Sequence, residues 1–458
     1  MADDKAKTDV ADEGLTPRHI EAIIEAVESR DLARLEKLFE PLHAADIADL
    51  LEQIGTNERR ALIALWPAAI DGDVLSEIDD AIREDVVNEL PHEQLAEAVR
   101  ELDTDDVVDI LEDLEETEQA VILDALEDAD RAAVEQAMSY PEYSAGRLMQ
   151  REVVAAPGDW TVGRMVDHLR EVDWLPDQFY HVVLVDPRMR PNGYVTLGRI
   201  LSAQRSVHLH DIAEDSFRTV KATDPEADVA YIFNQYHLIS CPVIDEAGRL
   251  VGVITIDDAM NVLDEEHEED MLRLAGVGDE SSVSDNSLQT ARQRLPWLVV
   301  NLFTASLSAL VISQFEGVIA TLVTLAALMP IVASTGGIAG TQSLAVAVRS
   351  LATRDLTSAN ARRVVLRELG AGMLNGLALA AILALAAYLV FGDIKLGVVL
   401  AMAMICNQVV AALGGVLVPL GMSKLKLDPA LASGTFVTTL TDVMGYLAFL
   451  GFAALLLL

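Results

Sequence analysis

The chain has 458 residues, 51 % of them hydrophobic, yet its formal net charge is −40 and its pI is about 4.4. The two properties separate near residue 280, with 66 acidic and 23 basic residues up to it and seven and ten beyond it. An acidic polar half joined to an apolar half excludes a single soluble enzyme domain. The strongly negative field also excludes a nucleic-acid binder, because it repels phosphate.

Residues 1–14 read as a polar, disordered tail. They contain no apolar core of a signal peptide, so the acidic half is expected to stay in the cytoplasm. Residues 15–143 show apolar side chains three and four apart with acids between them, as in 45–51 and 105–111, few glycines and no strand-like alternation. This pattern predicts an all-α, superhelical domain. Residues 144–263 change character. The strand-like stretches at 182–186 and 241–245 are each followed by a turn and a second strand, 193–197 and 252–256. Asp186 to Asp245 and Gly193 to Gly252 share one offset of 59 residues, which marks an internal repeat. With a helix before each hairpin and one after it, the expectation is two paired βαββα units, 144–205 and 206–263.

From Pro296 onward, five apolar runs are long enough to cross a bilayer: 297–315, 318 into the glycine-rich stretch near 340–347, 369–391, 396–421 and 430–458. Arg292, Arg294, Arg349, Arg354, Arg362, Arg363, Arg367, Lys424 and Lys426 fall on one side of these spans, against Lys395 on the other. By the positive-inside rule the N-terminus is cytoplasmic and the C-terminus outside. Asp442 lies within the fifth span, with Thr438, Thr439 and Thr441 beside it and no Lys or Arg in any span to pair with it. An acid at this depth faces water or a cation, or is neutralised between helices. The first case makes a transported cation its partner and the three threonines its neutral helpers. The second span carries Pro330 and the glycines 336, 337 and 340. It is expected to break its helix there, against a water-filled cavity or through close helix packing. Asn407 and Gln408 in the fourth span are expected to hydrogen-bond between helices.

The repeat resembles the tandem CBS module. The lead-in Ser144-Ala145-Gly146-Arg147-Leu148-Met149, the helix Asp105 to Leu111, and the run Asp428-Pro429-Ala430-Leu431-Ala432-Ser433-Gly434 through Asp442 together resemble the MgtE family of magnesium channels, in the same order along the chain. The resemblance implies a homodimer with a pore on its two-fold axis, spanning the plasma (inner) membrane, with magnesium as cargo. It also implies a cytosolic magnesium sensor and a connecting plug helix within 264–291, ahead of a membrane domain 292–458. On this reading Asp442 with Thr438, Thr439 and Thr441 lines the pore, and Asp105, Asp106, Asp109, Asp258, Glu266, Glu269 and Asp270 bind the regulatory magnesium. Two positions depart from the family pattern: Ile338 stands where Asn is usual and Asn261 where Asp is usual. The first removes an amide ligand at the cytoplasmic end of the pore, and the second weakens one sensor site.

Other readings stay open. The acids of the soluble half also fit solvated surface charge or salt adaptation, since arginine outnumbers lysine 26 to 7. A CBS pair also suits a membrane-anchored nucleotide sensor, with ATP as its ligand, although an anchor needs neither Asp442 nor the glycines. Cobalt or manganese could share the path. No P-loop, Ser-His-Asp set or H-E-x-x-H motif is present, so an enzyme is not expected.

Overall fold

The computed structural model describes residues 15–277 and 287–458, except Asp113, Glu115, Asp173, Trp174, Asp177, Gln178, Asp215, Ser358 and Ser433. The chain divides into two compact units, Met1–Asp264 and Glu265–Leu458.

The first unit begins with short helices: Pro17–Glu28, Leu32–Phe39, Ala44–Gln53, Thr56–Leu65, Gly72–Ser76, Asp80–Glu89, His92–Arg100, Thr104–Glu112, Glu116–Ala125 and Asp128–Ala137 (α1 to α10). Local chemistry starts several of them. Thr16 accepts from the His19 N–H ahead of Pro17 in α1, and Asp31 and Asp71 cap α2 and α5 through Arg34 N–H and Val74 N–H. Their apolar faces share one core that includes Ile23, Leu35, Leu50, Leu62, Leu75 and Ile110. The helical, strand-free domain expected from the 3.6-residue period is what the structure has.

Two three-stranded sheets follow. The first holds Ala155–Pro157 (β1), His181–Val185 (β2) and Pro191–Thr196 (β3), and the second holds Val220–Lys221 (β4), Ser240–Ile244 (β5) and Leu250–Thr255 (β6). Each pairs its first two strands parallel and its last two antiparallel, and each antiparallel pair shifts register at the same place, Leu184/Val185 and Val243/Ile244. Asp186 and Asp245 close the two hairpins alike, accepting from the Arg190 and Arg249 N–H groups at 2.8 Å. The helices Val162–Glu171 (α11), Leu197–Ser202 (α12) and Glu226–Tyr236 (α13) complete the repeat. The lead-in 144–150 packs on the second sheet: Gln150 pairs with Val253, and Ala145 and Met149 join the core of Val243 and Ile254.

The helix Ile256–Ala275 (α14) runs unbroken across the boundary of the two units at Asp264/Glu265. The sequence reading separated a helix ending near 263 from the connecting segment; the structure makes them one. The reason is local, since these 20 residues include neither Gly nor Pro.

Among the described residues the second unit has five helices long and apolar enough to cross a membrane, Ser287–Gln314 (α15), Thr324–Ala352 (α17), Ala361–Phe391 (α18), Ile394–Lys424 (α19) and Gly434–Leu456 (α20), with the short Glu316–Thr321 (α16) before α17. α17 corrects one expectation: it stays helical through Pro330 and all three glycines. Gly336, Gly337 and Gly340 serve close packing. A Cβ on Gly340 would come within 2.6 Å of Val437 Cγ1 in α20, and one on Gly337 within 3.2 Å of Thr438 Cγ2. Asn407 and Gln408 behave as expected. Their side-chain amides donate to Val332 O and Thr335 O of α17 at 2.8 and 3.3 Å. Such bonds in membrane helices contribute roughly 0.6 kcal/mol on average.

Candidate cation sites

Three acidic positions emerge. The first lies in unit 1, where the start of α14 meets α8. Thr255 ends β6 and immediately precedes α14, so Asp257 and Asp258 occupy the first turn of α14, where the helix dipole favours negative charge. The Thr255 hydroxyl is shared between Asp257 and, at 2.8 Å, Asp258. Facing them, Asp105 and Asp106 start α8. Asp105 is 7 % exposed. Burial raises its carboxyl well above the usual range, and the charges of Asp258, Asp106 and Asp103 push the same way. Burial, then Asp258, Asp103 and Asp109, lift Asp106 to about 7. Asp258 reaches about 7 through burial and its neighbour Asp257, against the opposing hydrogen bonds from Thr255. Asp109 is different: Arg83 Nη2 donates to its Oδ2 at 3.0 Å, so it already has a cation. The structure thus brings Asp105, Asp106 and Asp258 together, with Asp109 paired to Arg83; the neighbours Asp257, Asp103 and Arg83 had no signal in the sequence reading.

The second position lies in unit 2, at the far end of α14. Glu266 is exposed and Asp270 half-buried; desolvation raises both carboxyls, the charges of Glu269 and Asp270 then add to Glu266, and that of Asp428 to Asp270. Arg273 answers this charge. Its Nη2 donates to Glu269 Oε2 at 2.9 Å and its Nη1 to Asp428 Oδ2 at 2.8 Å. The other oxygen of Asp428 accepts from Ala430 N–H at 2.8 Å. Next to Arg273, Leu274 packs with Leu344, Val348, Ala430 and Val437. The end of α14 is therefore fastened at the base of α20 by an ion pair and an apolar contact. Asp428 was noted in sequence only as part of a motif; its 155-residue separation from Arg273 hides the pairing.

The third position is Asp442. It is partly exposed and shares a stripe of α20 with Thr435, Thr438, Thr439 and Tyr446, spaced three and four residues apart. The Thr439 hydroxyl donates to Thr435 O at 2.7 Å and that of Thr441 to Thr438 O at 2.8 Å. Thr441 is wholly buried and so presents nothing to solvent. Among the described residues no lysine or arginine pairs with Asp442. Ile338 is exposed on α17 and supplies no polar group.

Among the described residues no three His, Cys, Asp or Glu converge tightly enough to cage a bare ion. Magnesium keeps several of its waters and is held by one or two carboxylates, so it does not require a dense ligand set. Buried carboxylates that retain protons near neutrality are groups whose charge a divalent cation would compensate.

Three family models match parts of the chain. A family model described as the MgtE divalent cation transporter matches residues 329–452, one for the MgtE intracellular N domain matches 42–143, and one for the CBS domain matches 209–265. The magnesium transporter MgtE of Thermus thermophilus is 32 % identical over 438 residues, covering 94 % of this chain and 97 % of that protein. The Enterococcus faecalis magnesium transporter MgtE is 35 % identical over 325 residues, covering 70 % and 71 %. A crystal structure of the cytosolic domain of the Mg2+ channel MgtE in complex with ATP covers 53 % of this chain and 99 % of its own, at 28 % identity and a TM-score of 0.49.

Proposed function

This chain belongs to the MgtE family of divalent cation transporters, and we propose that it conducts magnesium across a membrane and is closed by magnesium bound to its own acidic soluble half. Asp442 carries the reading: a carboxylate on an apolar membrane helix, lined with hydroxyls and, among the described residues, without a lysine or arginine partner. An intramembrane acid of this kind marks an ion path. In a homodimer two such carboxylates face one another and match the charge of one divalent ion. Set back from contact, they read magnesium through its hydration shell, which the ion gives up reluctantly. The hydroxyls of Thr438 and Thr439 border the same stripe, and that of Thr441 supports the helix from within.

Closure uses the two ends of α14. At Asp105, Asp106 and Asp258, with Asp109 at the margin, carboxylates repel until a cation is shared among them. Glu266, Glu269 and Asp270 repeat the chemistry beside Asp428. Magnesium that binds the compact form more tightly than the separated form holds the compact one. With the basic loops and the acidic half on the same side, the N-terminus is cytoplasmic and the C-terminus outside. ATP is proposed as a second ligand, at the cleft bordered by Phe179, Tyr180 and His181, whose aromatic rings suit a base.

The test is magnesium influx into proteoliposomes of the purified protein, with and without magnesium on the side of the soluble half. The expected result is flux that falls as that magnesium rises. Absence of flux in its absence overturns the transport reading, and flux insensitive to it overturns the sensor. Cobalt and manganese in the same assay define the range of cargo, and ATP titration with a quench of tyrosine fluorescence reads the cleft.

A further inference from the structure

Three membrane helices meet on one side chain. Asn407 of α19 is fully buried, and its Nδ2 donates to the Val332 carbonyl of α17. A Cβ on Gly336 of α17 would overlap the Asn407 amide, and a Cβ on Gly445 of α20 would come within 2.8 Å of Nδ2 and 3.3 Å of Oδ1. The amide is therefore lodged between two glycines on two different helices, each of which leaves room for it by having no side chain. Its Oδ1 has no donor among the described residues. A side chain that only filled space would be apolar here, because an unsatisfied buried oxygen is unfavourable. What the amide adds is a directional bond to the α17 backbone.

That bond lies close to the ion path. Gly445 follows Asp442 by three residues, just under one turn of α20. The neighbouring contacts between α17 and α20, Gly337 with Thr438 and Gly340 with Val437, are also close approaches at glycines, but the side chains that meet those glycines belong to α20 itself. Asn407 belongs to α19 and is tied to α17, so the slot into which Gly445 fits has a place set from outside α20. We infer that Asn407 is a positioning residue for transport, which sets the depth and rotation of α20 and so the place at which Asp442 presents its charge. The inference rests on the assignment of Asp442 as the cation's partner.

The experiment is a cycle of variants in proteoliposomes: Asn407→Ala, Gly445→Ala and the two combined, with magnesium influx measured over a range of external magnesium. Asn407→Ala empties the slot, Gly445→Ala pushes a methyl into the amide, and the pair refills the slot with that methyl. Misplacing a charged group by about 1 Å can lower a rate by about 100-fold, so each single change is expected to raise the half-saturating magnesium by about tenfold. The double variant is expected to return to within about threefold of wild type, because residues that share one slot are not additive. General loosening of the bundle predicts instead a double variant worse than either single. That additive result, or unchanged half-saturation in both singles, overturns the inference. If Gly445→Ala does not fold alone, the double variant must still fold and conduct; its failure overturns the inference too. Asp442→Ala is run alongside. If it conducts normally, the assignment of Asp442 falls. If it is silent while the Asn407 cycle is flat, only the positioning role falls.

Discussion

The acids at the start of α14 and the acid of α20 stand in opposite company. Asp105 is buried and Asp106 and Asp258 are half-buried in a crowd of like charge, whereas Asp442 stands alone on its stripe of α20 among hydroxyls. The difference teaches what each arrangement can do. A crowd of acids changes its own energy steeply when a cation enters, which makes it responsive to concentration. A single acid attracts a cation without trapping it, and conduction needs binding that is favourable enough to enter and weak enough to leave.

The largest effect should come from removing the solitary charge. Asp442→Asn keeps the shape of the side chain and is expected to reduce magnesium flux by more than about 100-fold, since about 3 kcal/mol of lost stabilisation corresponds to that factor in rate. Flux in proteoliposomes is the measurement, and a rate near wild type would erase the contrast between the two regions. The crowd is tested next, by Asp105→Asn, Asp106→Asn and Asp258→Asn together. Magnesium protection of α14 from protease, titrated at fixed ionic strength to exclude general screening, should shift its midpoint by about tenfold, within the range typical of coupled sites. An unmoved midpoint would make these acids ordinary solvated surface.

Protons sharpen the same contrast. Asp106 and Asp258 titrate at about 7 in the folded protein against an ordinary value of 3.8. Between those values the folded state holds more protons than the unfolded chain, so stability is highest at acid pH and falls as pH rises through the window. Without magnesium the melting temperature of the soluble half should drop by a few degrees between about pH 5 and about pH 8, at the usual scale of a few degrees per kcal/mol. Saturating magnesium should flatten that slope, and the triple Asn variant should abolish it. The smallest effect concerns Arg273. Its removal by Arg273→Ala leaves Glu269 and Asp428 without their built-in cation. Closure should then require about threefold more magnesium, in keeping with the 0–1 kcal/mol typical of exposed ion pairs. A lower requirement would mean that Arg273 competes with magnesium and does not assist it.

Much of this arrangement could be read along the chain because it depends on local periodicity. Apolar length marks the five membrane helices. The 59-residue offset marks the paired repeats so faithfully that His181 and Ser240, at matching positions, touch across them at 2.5 Å. Asp442 stands out because its surroundings are apolar in sequence as well as in space. What the sequence withheld depends on partners far away in the chain. Nothing near Gly336 indicates that Asn407 will fill the space it leaves, so a cavity and close packing looked equally plausible for the second span. Arg273 and Asp428, or Asp109 and Arg83, meet only after folding. The acids proposed for the sensor were therefore legible as acids, while the arginines that pair with some of them were not.

The continuity of α14 has a mechanical consequence. Its 20 residues form a rod of about 30 Å at 1.5 Å per residue, with Asp258 near one end and Arg273 near the other. A helix without Gly or Pro has no built-in hinge, so on the proposed reading a change at the acids of one end would be carried along the helix and not absorbed within it. Each residue turns the rod by about 100°. Deleting a single residue near Asp264 would leave every carboxylate and every guanidinium in place on its own end, yet rotate one end against the other by more than a quarter turn. The phase between the two ends, set by the number of residues separating them, is thus as much a part of the device as the charges they carry.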